Sequence, residues 1–304
     1  MQKLENFGDL FKHNKELLDD DYNHGQATVL KTKSKSNDGS FEISSTLKQS
    51  TQNQHGEANV GLESKLKFIQ GGQTWECALK QDGSCSWDGK SDFLQRYINN
   101  KGLQVVFHST NQAIPSSTLP TYKVGLDFVN DQLRFKLLAN VQNWALEHNL
   151  TYQARSNFVF GYNLALDSRS SNLTKYDAGL SWEATPNVLL GLKHESTSKD
   201  TIKLGKVLLQ LHHAATASQS LGAEFVLDYH KKVLESRFGL SHKINNDSSV
   251  KFKVNHHGFL DAVFKHKLSS AATLNVVTGY NLKAAVHEKK GTNLPFGLCL
   301  DLKF

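Results

Sequence analysis

The residues able to do chemistry are numerous but do not gather. Cys77, Cys85 and Cys299 stand at spacings that fit neither a zinc set nor a disulfide framework. Fourteen histidines are scattered along the chain. The adjacent pairs His212–His213 and His256–His257 lie in alternating sequence, where neighbours point to opposite faces of a strand, so each reads as polar filler rather than a metal site. No GxSxG, HExxH, Walker or paired-carboxylate pattern occurs, so no enzymatic activity and no cofactor are expected. Lysine remains. Thirty-five Lys and Arg face 29 Asp and Glu, for a net charge of +6, and they are spread without a basic block. That spread argues against a nucleic-acid partner. The chemistry open to such a set is a long-range field that draws small anions.

A field needs a surface that holds these charges on one side. From about residue 26 the sequence alternates with a period of two, as in "ANVGLESKLKF" (58–68), where Ala58, Val60, Leu62, Leu66 and Phe68 oppose Asn59, Glu63, Lys65 and Lys67. The alternation recurs in "LRFKL", "FVFGYNLAL", "LGAEFVLDY", "VKFKV" and the final "FGLCLDLKF". Clusters such as Asn37-Asp38-Gly39, Gly71-Gly72 and Asn245-Asn246-Asp247 separate the segments. About nineteen segments of roughly ten residues follow, the fifth (83–89) being the least regular, and ten residues is near the length a tilted strand needs to cross a bilayer. The region 89–100 reads as a loop with a helical turn. A parity change between Leu204 and Val207 suggests a bulge. Before residue 26, Phe7, Leu10, Phe11, Leu17 and Leu18 follow a helical period. The expected organisation is therefore an amphipathic helix and hinge in 1–25, then a β-barrel in 26–304.

Strand length, the scarcity of proline (four residues) and aromatics near strand ends favour a transmembrane barrel over a soluble β-sheet lipid- or ligand-binding protein. In a barrel, lipid takes the apolar face and water the other. Parity then turns Lys31, Lys33, Lys65, Lys67, Lys123, Arg134, Lys136, Lys251 and Lys253 into a basic lumen wall, with Glu42, Glu63, Asp127, Glu224, Asp261 and Asp301 beside them. Nineteen strands ~4.8 Å apart and tilted ~40° enclose a backbone cylinder of roughly 35–40 Å.

"DLFKHNKELL…YNHGQATVLKTKSKSNDGSFEISS" (9–45) and "RFGLSHKINNDSSVKFKVNHHGFLDAVFKHKL" (237–268) resemble the voltage-dependent anion channels, the mitochondrial outer-membrane porins. Nineteen is that family's strand number, so the count is not independent of the resemblance. An odd number requires one parallel closing pair. The resemblance implies an all-β transmembrane barrel with the helix in its lumen. It further implies passive exchange of ATP, ADP, phosphate and small metabolites across the mitochondrial outer membrane, with closure under voltage. Lys12 and Lys15 take the positions of nucleotide-contacting residues, Gly25 that of the hinge, and Gly297, Leu300 and Leu302 those of a sorting signal. Partners expected on this basis are membrane lipid, nucleotides and anions in transit, and self-association or docking with other outer-membrane proteins. The protein-import channel of the same superfamily is the alternative. Departures from the family pattern are Asp19, Asp20 and Asp21, the single hinge glycine in "YNHG", Gln104, Pro295, the long 283–293 loop, and Glu76, which falls on the inward parity while Cys77 faces out.

Overall fold

A computed structural model describes residues 4–22, 26–50, 60–98, 102–111, 120–196, 204–283 and 295–304. A 3-10 turn, Phe7–Asp9, and helix α1, Lys12–Leu18, open the chain. Nineteen strands follow. The first six are β1 Gln26–Lys35, β2 Phe41–Ser50, β3 Val60–Gln70, β4 Gln73–Lys80, β5 Cys85–Ser91 and β6 Leu103–Asn111. Next come β7 Thr121–Val129, β8 Leu133–Asn140, β9 Ala145–Arg155, β10 Phe158–Asp167, β11 Asn172–Thr185 and β12 Val188–Glu195. The last seven are β13 Lys206–Ala214, β14 Gln219–Asp228, β15 Val233–Lys243, β16 Ser248–Asn255, β17 Phe259–Lys267, β18 Ala272–Asn281 and β19 Phe296–Lys303. A second short helix, α2 (Phe93–Ile98), occupies the irregular stretch after β5.

Each strand pairs antiparallel with the next, and β1 closes the sheet against β19 in parallel, with Lys31 opposite Asp301 and Thr32 opposite Leu302. This is the closed barrel that an odd strand number demands. The final strand is thus an interior member of the sheet, held by β18 on one side and β1 on the other. Its Leu298, Leu300 and Leu302 share one parity, and Gly297, Cys299 and Asp301 share the other.

The burial pattern is inverted relative to a dry-cored protein. Large apolar side chains are exposed, among them Leu62 (45%), Phe68 (43%) and Trp182 (44%), while the carboxylates Asp127 (2%), Asp261 (3%) and Glu224 (4%) are buried. Such an outer surface is stable only against hydrocarbon. The barrel therefore spans a membrane, and its charged face lines the interior.

The turn clusters behave as their sequences require. Gly39, Gly71, Gly72 and Gly83 all take positive φ, and Asn245 Oδ1 accepts the backbone N–H groups of Asp247 and Ser248 at 2.9 and 2.6 Å. Three expectations need correction. The fifth strand runs to Ser91, past the expected 89. The parity change near Gly205 is not a bulge: β13 begins at Lys206 and pairs with both neighbours without a register shift. Gly205 instead donates its N–H to His194 Nε2 at 3.2 Å and accepts from Tyr229. His256 and His257 sit in the turn after β16, with ring centres 3.7 Å apart, rather than on opposite faces of a strand.

Candidate functional site: a helix docked on a basic lumen wall

The segment 4–22 lies inside the barrel and follows the wall from β8 to β17. Its apolar side, comprising Leu4, Phe7, Leu10, Phe11, Leu17 and Leu18, is almost completely buried. The wall makes room for it by omitting side chains. Gly161, Gly179, Gly191, Gly222 and Gly239 lie in mid-strand on the inner parity of β10, β11, β12, β14 and β15. Gly161 pairs directly with Gly179, and Gly222 with Gly239. A Cβ at these positions would meet the docked segment: Phe7 Cδ2 at 3.0 Å from residue 161, Phe11 Cζ at 2.9 Å from 179, Leu17 Cδ2 at 2.6 Å from 222 and Leu18 Cδ2 at 2.7 Å from 239. Side chains of ordinary size there would force the helix toward the axis.

Polar contacts fix the two ends. Arg134 Nη1 donates to the Leu4 carbonyl at 3.4 Å while Arg134 Nη2 holds Asp127 at 3.0 Å. In the middle, Asn14 Nδ2 donates to the Ala223 carbonyl at 3.1 Å, and Lys193 lies over the Phe7 and Phe11 rings. At the far end, Arg237 joins Glu224 of its own wall to Asp19 of the helix at 2.5 Å. Lys251 binds Asp21 at 2.9 Å and the Glu16 carbonyl at 2.8 Å, Lys265 approaches Asp21 at 3.9 Å, and Lys253 stands 4.1 Å from the Tyr22 ring centre. Burial pushes the Asp21 carboxyl up. The hydrogen bond from Lys251 and the charges of Lys251, Lys265 and Lys31 outweigh it and hold the group below its ordinary range. Burial, with Asp261, Asp21 and Asp19 nearby, raises the Tyr22 hydroxyl, which therefore stays neutral.

Lys12 and Lys15 are on the opposite, exposed side of α1, and Lys12 pairs with Glu16 at 3.7 Å. Lys31, Lys33, Lys65, Lys67, Lys123, Arg134, Lys136, Lys251 and Lys253 all fall on the inner parity. Several are matched by carboxylates of the same wall: Lys33 by Glu42 at 2.8 Å, Lys65 by Glu63 at 3.5 Å, Lys123 by Glu147 at 2.6 Å and Lys253 by Asp261 at 3.2 Å. Gly25 and residues 284–294 lie outside the described residues. Glu76 shares the inner parity with Lys67, and Cys77 shares the outer parity with Trp75 and Leu79. The glycine track was missed from sequence, although a signal existed: five inward-parity glycines at strand centres, matching one apolar helix.

A closed barrel with a charged interior, an apolar exterior and an amphipathic segment folded inside has the architecture of a membrane pore. A family model described as eukaryotic porin matches residues 5–291. The chain belongs to the eukaryotic porin family. Among individual eukaryotic porins, the chain is 25% identical to mitochondrial outer membrane protein porin 2 of Arabidopsis thaliana, over 98% of this chain and 97% of that protein. It is 25% identical to mitochondrial outer membrane protein porin 2 of Oryza sativa subsp. japonica, over 48% of each chain. It is also 27% identical to an outer plastidial membrane protein porin of Zea mays, over 47% of this chain and 48% of that one. As a eukaryotic porin it contacts membrane lipid and passes small solutes, and its barrel is of the channel rather than the enzymatic type.

Proposed function

We propose that this porin is a voltage-dependent, weakly anion-selective diffusion pore of the mitochondrial outer membrane, passing ATP, ADP, phosphate and small anionic metabolites. The observation that carries the reading is the inner wall with its excess of Lys and Arg, against which the segment is docked with Lys12 and Lys15 on its exposed side. Fixed charges lining a wide pore select by summed field rather than by one tight site, which suits rapid passage of phosphorylated solutes. The printed names of the Arabidopsis and rice relatives support a mitochondrial outer membrane, and that of the maize relative supports an outer membrane of another organelle. Within this reading Gly25 is the hinge of the segment. Gly297, Leu300 and Leu302 serve assembly of the closing strand, since β19 must be delivered to both β18 and β1.

The test is reconstitution in planar bilayers. A large conductance that prefers anions and falls at higher voltage of either sign is expected. Changing Lys12 and Lys15 together to Glu lowers or reverses the preference; an unchanged reversal potential would remove α1 from the selectivity field.

A further inference from the structure

One contact between helix and wall pairs two imidazole rings. His13, on the exposed side of α1, faces His212, on the inner parity of β13, with ring centres 5.2 Å apart and planes inclined by 31°. An imidazole bound to a divalent ion at ~2.0–2.1 Å has its ring centre about 3.2 Å from that ion, so two imidazoles on a tetrahedral ion have centres about 5.2 Å apart. The observed separation matches that figure, and it also falls in the ordinary range for two rings in contact.

The surroundings have the sign to accept a cation. Asp9 and Glu16 are four residues before and three after His13, which places all three along one side of the helical segment. A cavity of about 250 Å³ beside His13 is lined by Glu5, Asp9 and Glu183, while His212 lines the adjoining crevice with Leu10, Phe11 and Asn14. Of the nearby cations, Lys12 is paired with Glu16 at 3.7 Å and Lys193 with Glu195 at 2.6 Å. Among the described residues no three His, Cys, Asp or Glu side chains form a metal-holding group, so an ion shared by His13 and His212 would have two protein ligands and would complete its shell with water. Imidazole with water is a donor set for borderline transition ions rather than for calcium or magnesium.

We propose that His13 and His212 form a two-histidine site for a divalent transition-metal ion, of which Zn²⁺ is the probe, and that a bound ion ties α1 to β13. The second half rests on the proposed function, in which the pore closes under voltage and Gly25 is the hinge of the segment. The test uses full-length protein in detergent micelles and in bilayers, in a His256→Ala/His257→Ala background that silences the paired histidines of the β16–β17 turn. Calorimetric titration with Zn²⁺ is expected to show one site, weakened at least about tenfold by His13→Ala and equally by His212→Ala. Each change removes the ring contact between helix and wall, and unaltered thermal unfolding and single-channel conductance without Zn²⁺ verify that the barrel is intact. In bilayers Zn²⁺ is expected to slow voltage-driven closure reversibly, and neither variant should respond. Absence of binding, binding that survives both substitutions, or binding lost in only one of them overturns the site. Binding shared by both histidines with unaltered closure upholds the site and instead counts against the segment as a moving part.

Discussion

The glycine track gives the sharpest handle on how the segment is held. Consider Gly222→Ala with Gly239→Ala. Leu17 and Leu18, 3% and 0% exposed, sit over these glycines, and burial of a leucine contributes about 1.5–3 kcal/mol, so the two anchor that turn by about 3–6 kcal/mol. The new methyl carbons would lie 2.6 and 2.7 Å from the leucine Cδ2 atoms, against an ordinary separation of about 3.5–4.0 Å. Relief requires a shift of roughly 1 Å, and overpacking of this kind costs about 1–3 kcal/mol per site. The sites are neighbours and share a helical turn, so their effects are not strictly additive. Together they cancel most of what the two leucines contribute. At about 1.4 kcal/mol per factor of ten, the released population rises at least tenfold.

Limited trypsin cleavage at Lys12 and Lys15 reads that population, because cleavage tracks the open fraction when reclosing is fast. The expected result is at least a tenfold faster loss of the N-terminal segment, with thermal unfolding of the barrel no lower than before, since alanine is tolerated in a strand at least as well as glycine. Gly61→Ala is the control: a Cβ there comes no nearer than 4.0 Å to its closest neighbour, and cleavage should not change. An intact double variant that is cleaved at the original rate would refute the claim that these glycines seat the helix.

Three further outcomes follow from the polar anchors. Asp21→Asn removes the charge that Lys251 and Lys265 share and should likewise raise cleavage of the segment, by several-fold, without altering barrel melting. The docked Asp21 carboxyl titrates below its ordinary 3.8, so its contribution to docking is complete above that value and is lost as pH falls through the lowered one. Closure recorded between pH 5 and 7 should therefore show no component from Asp21, and a component below about pH 4 should vanish in Asp21→Asn. Asp127→Ala strands Arg134 in the wall; breaking a buried pair costs about 3–5 kcal/mol. The melting temperature should fall clearly, and Asp127→Asn, which keeps an acceptor for the guanidinium, should fall less.

How far the sequence carries depends on the range of the interaction. Strand identity and facing were legible because a period of two is local: Lys65 and Lys67 against Leu66 and Phe68 need no knowledge of the rest of the chain. The closing pair followed from counting parity. The edges of β5 were harder, because Gly89, Lys90 and Ser91 carry no strand signal of their own; Gly89 is in the sheet because the Trp75 ring covers it from the neighbouring strand. The apparent bulge near Gly205 came from extending β13 into residues that precede it. The docking of the segment was least legible. Asp19 with Arg237 spans 218 positions and His13 with His212 spans 199, and only the curvature of the closed wall brings them together. The acidic run Asp19-Asp20-Asp21 stood out as a departure in sequence, and the structure supplies its partners.

Those partners carry a consequence for selectivity. Residues 1–25 hold three lysines against six carboxylates, in a chain whose formal charge is +6. The segment is therefore an acidic body seated on a basic wall. While it is docked, Asp21 occupies Lys251 and Lys265, which would otherwise face the permeating ions, and Asp19 adds a second carboxylate to Arg237 beside Glu224. Removal of residues 1–25 takes three net negative charges from the chain, and the change is felt most at Lys251 and Lys265, which lose Asp21, while Arg237 keeps Glu224. The truncated pore should be wider and more anion-selective than the full chain, with the difference shrinking in concentrated salt as screening shortens the field to a few ångströms. Reversal potentials across a salt gradient, measured for both forms at low and high ionic strength, decide the matter. A truncated pore that shifts toward cations would mean that Lys12 and Lys15, by their position at the centre of the lumen, outweigh the whole acidic complement of the segment.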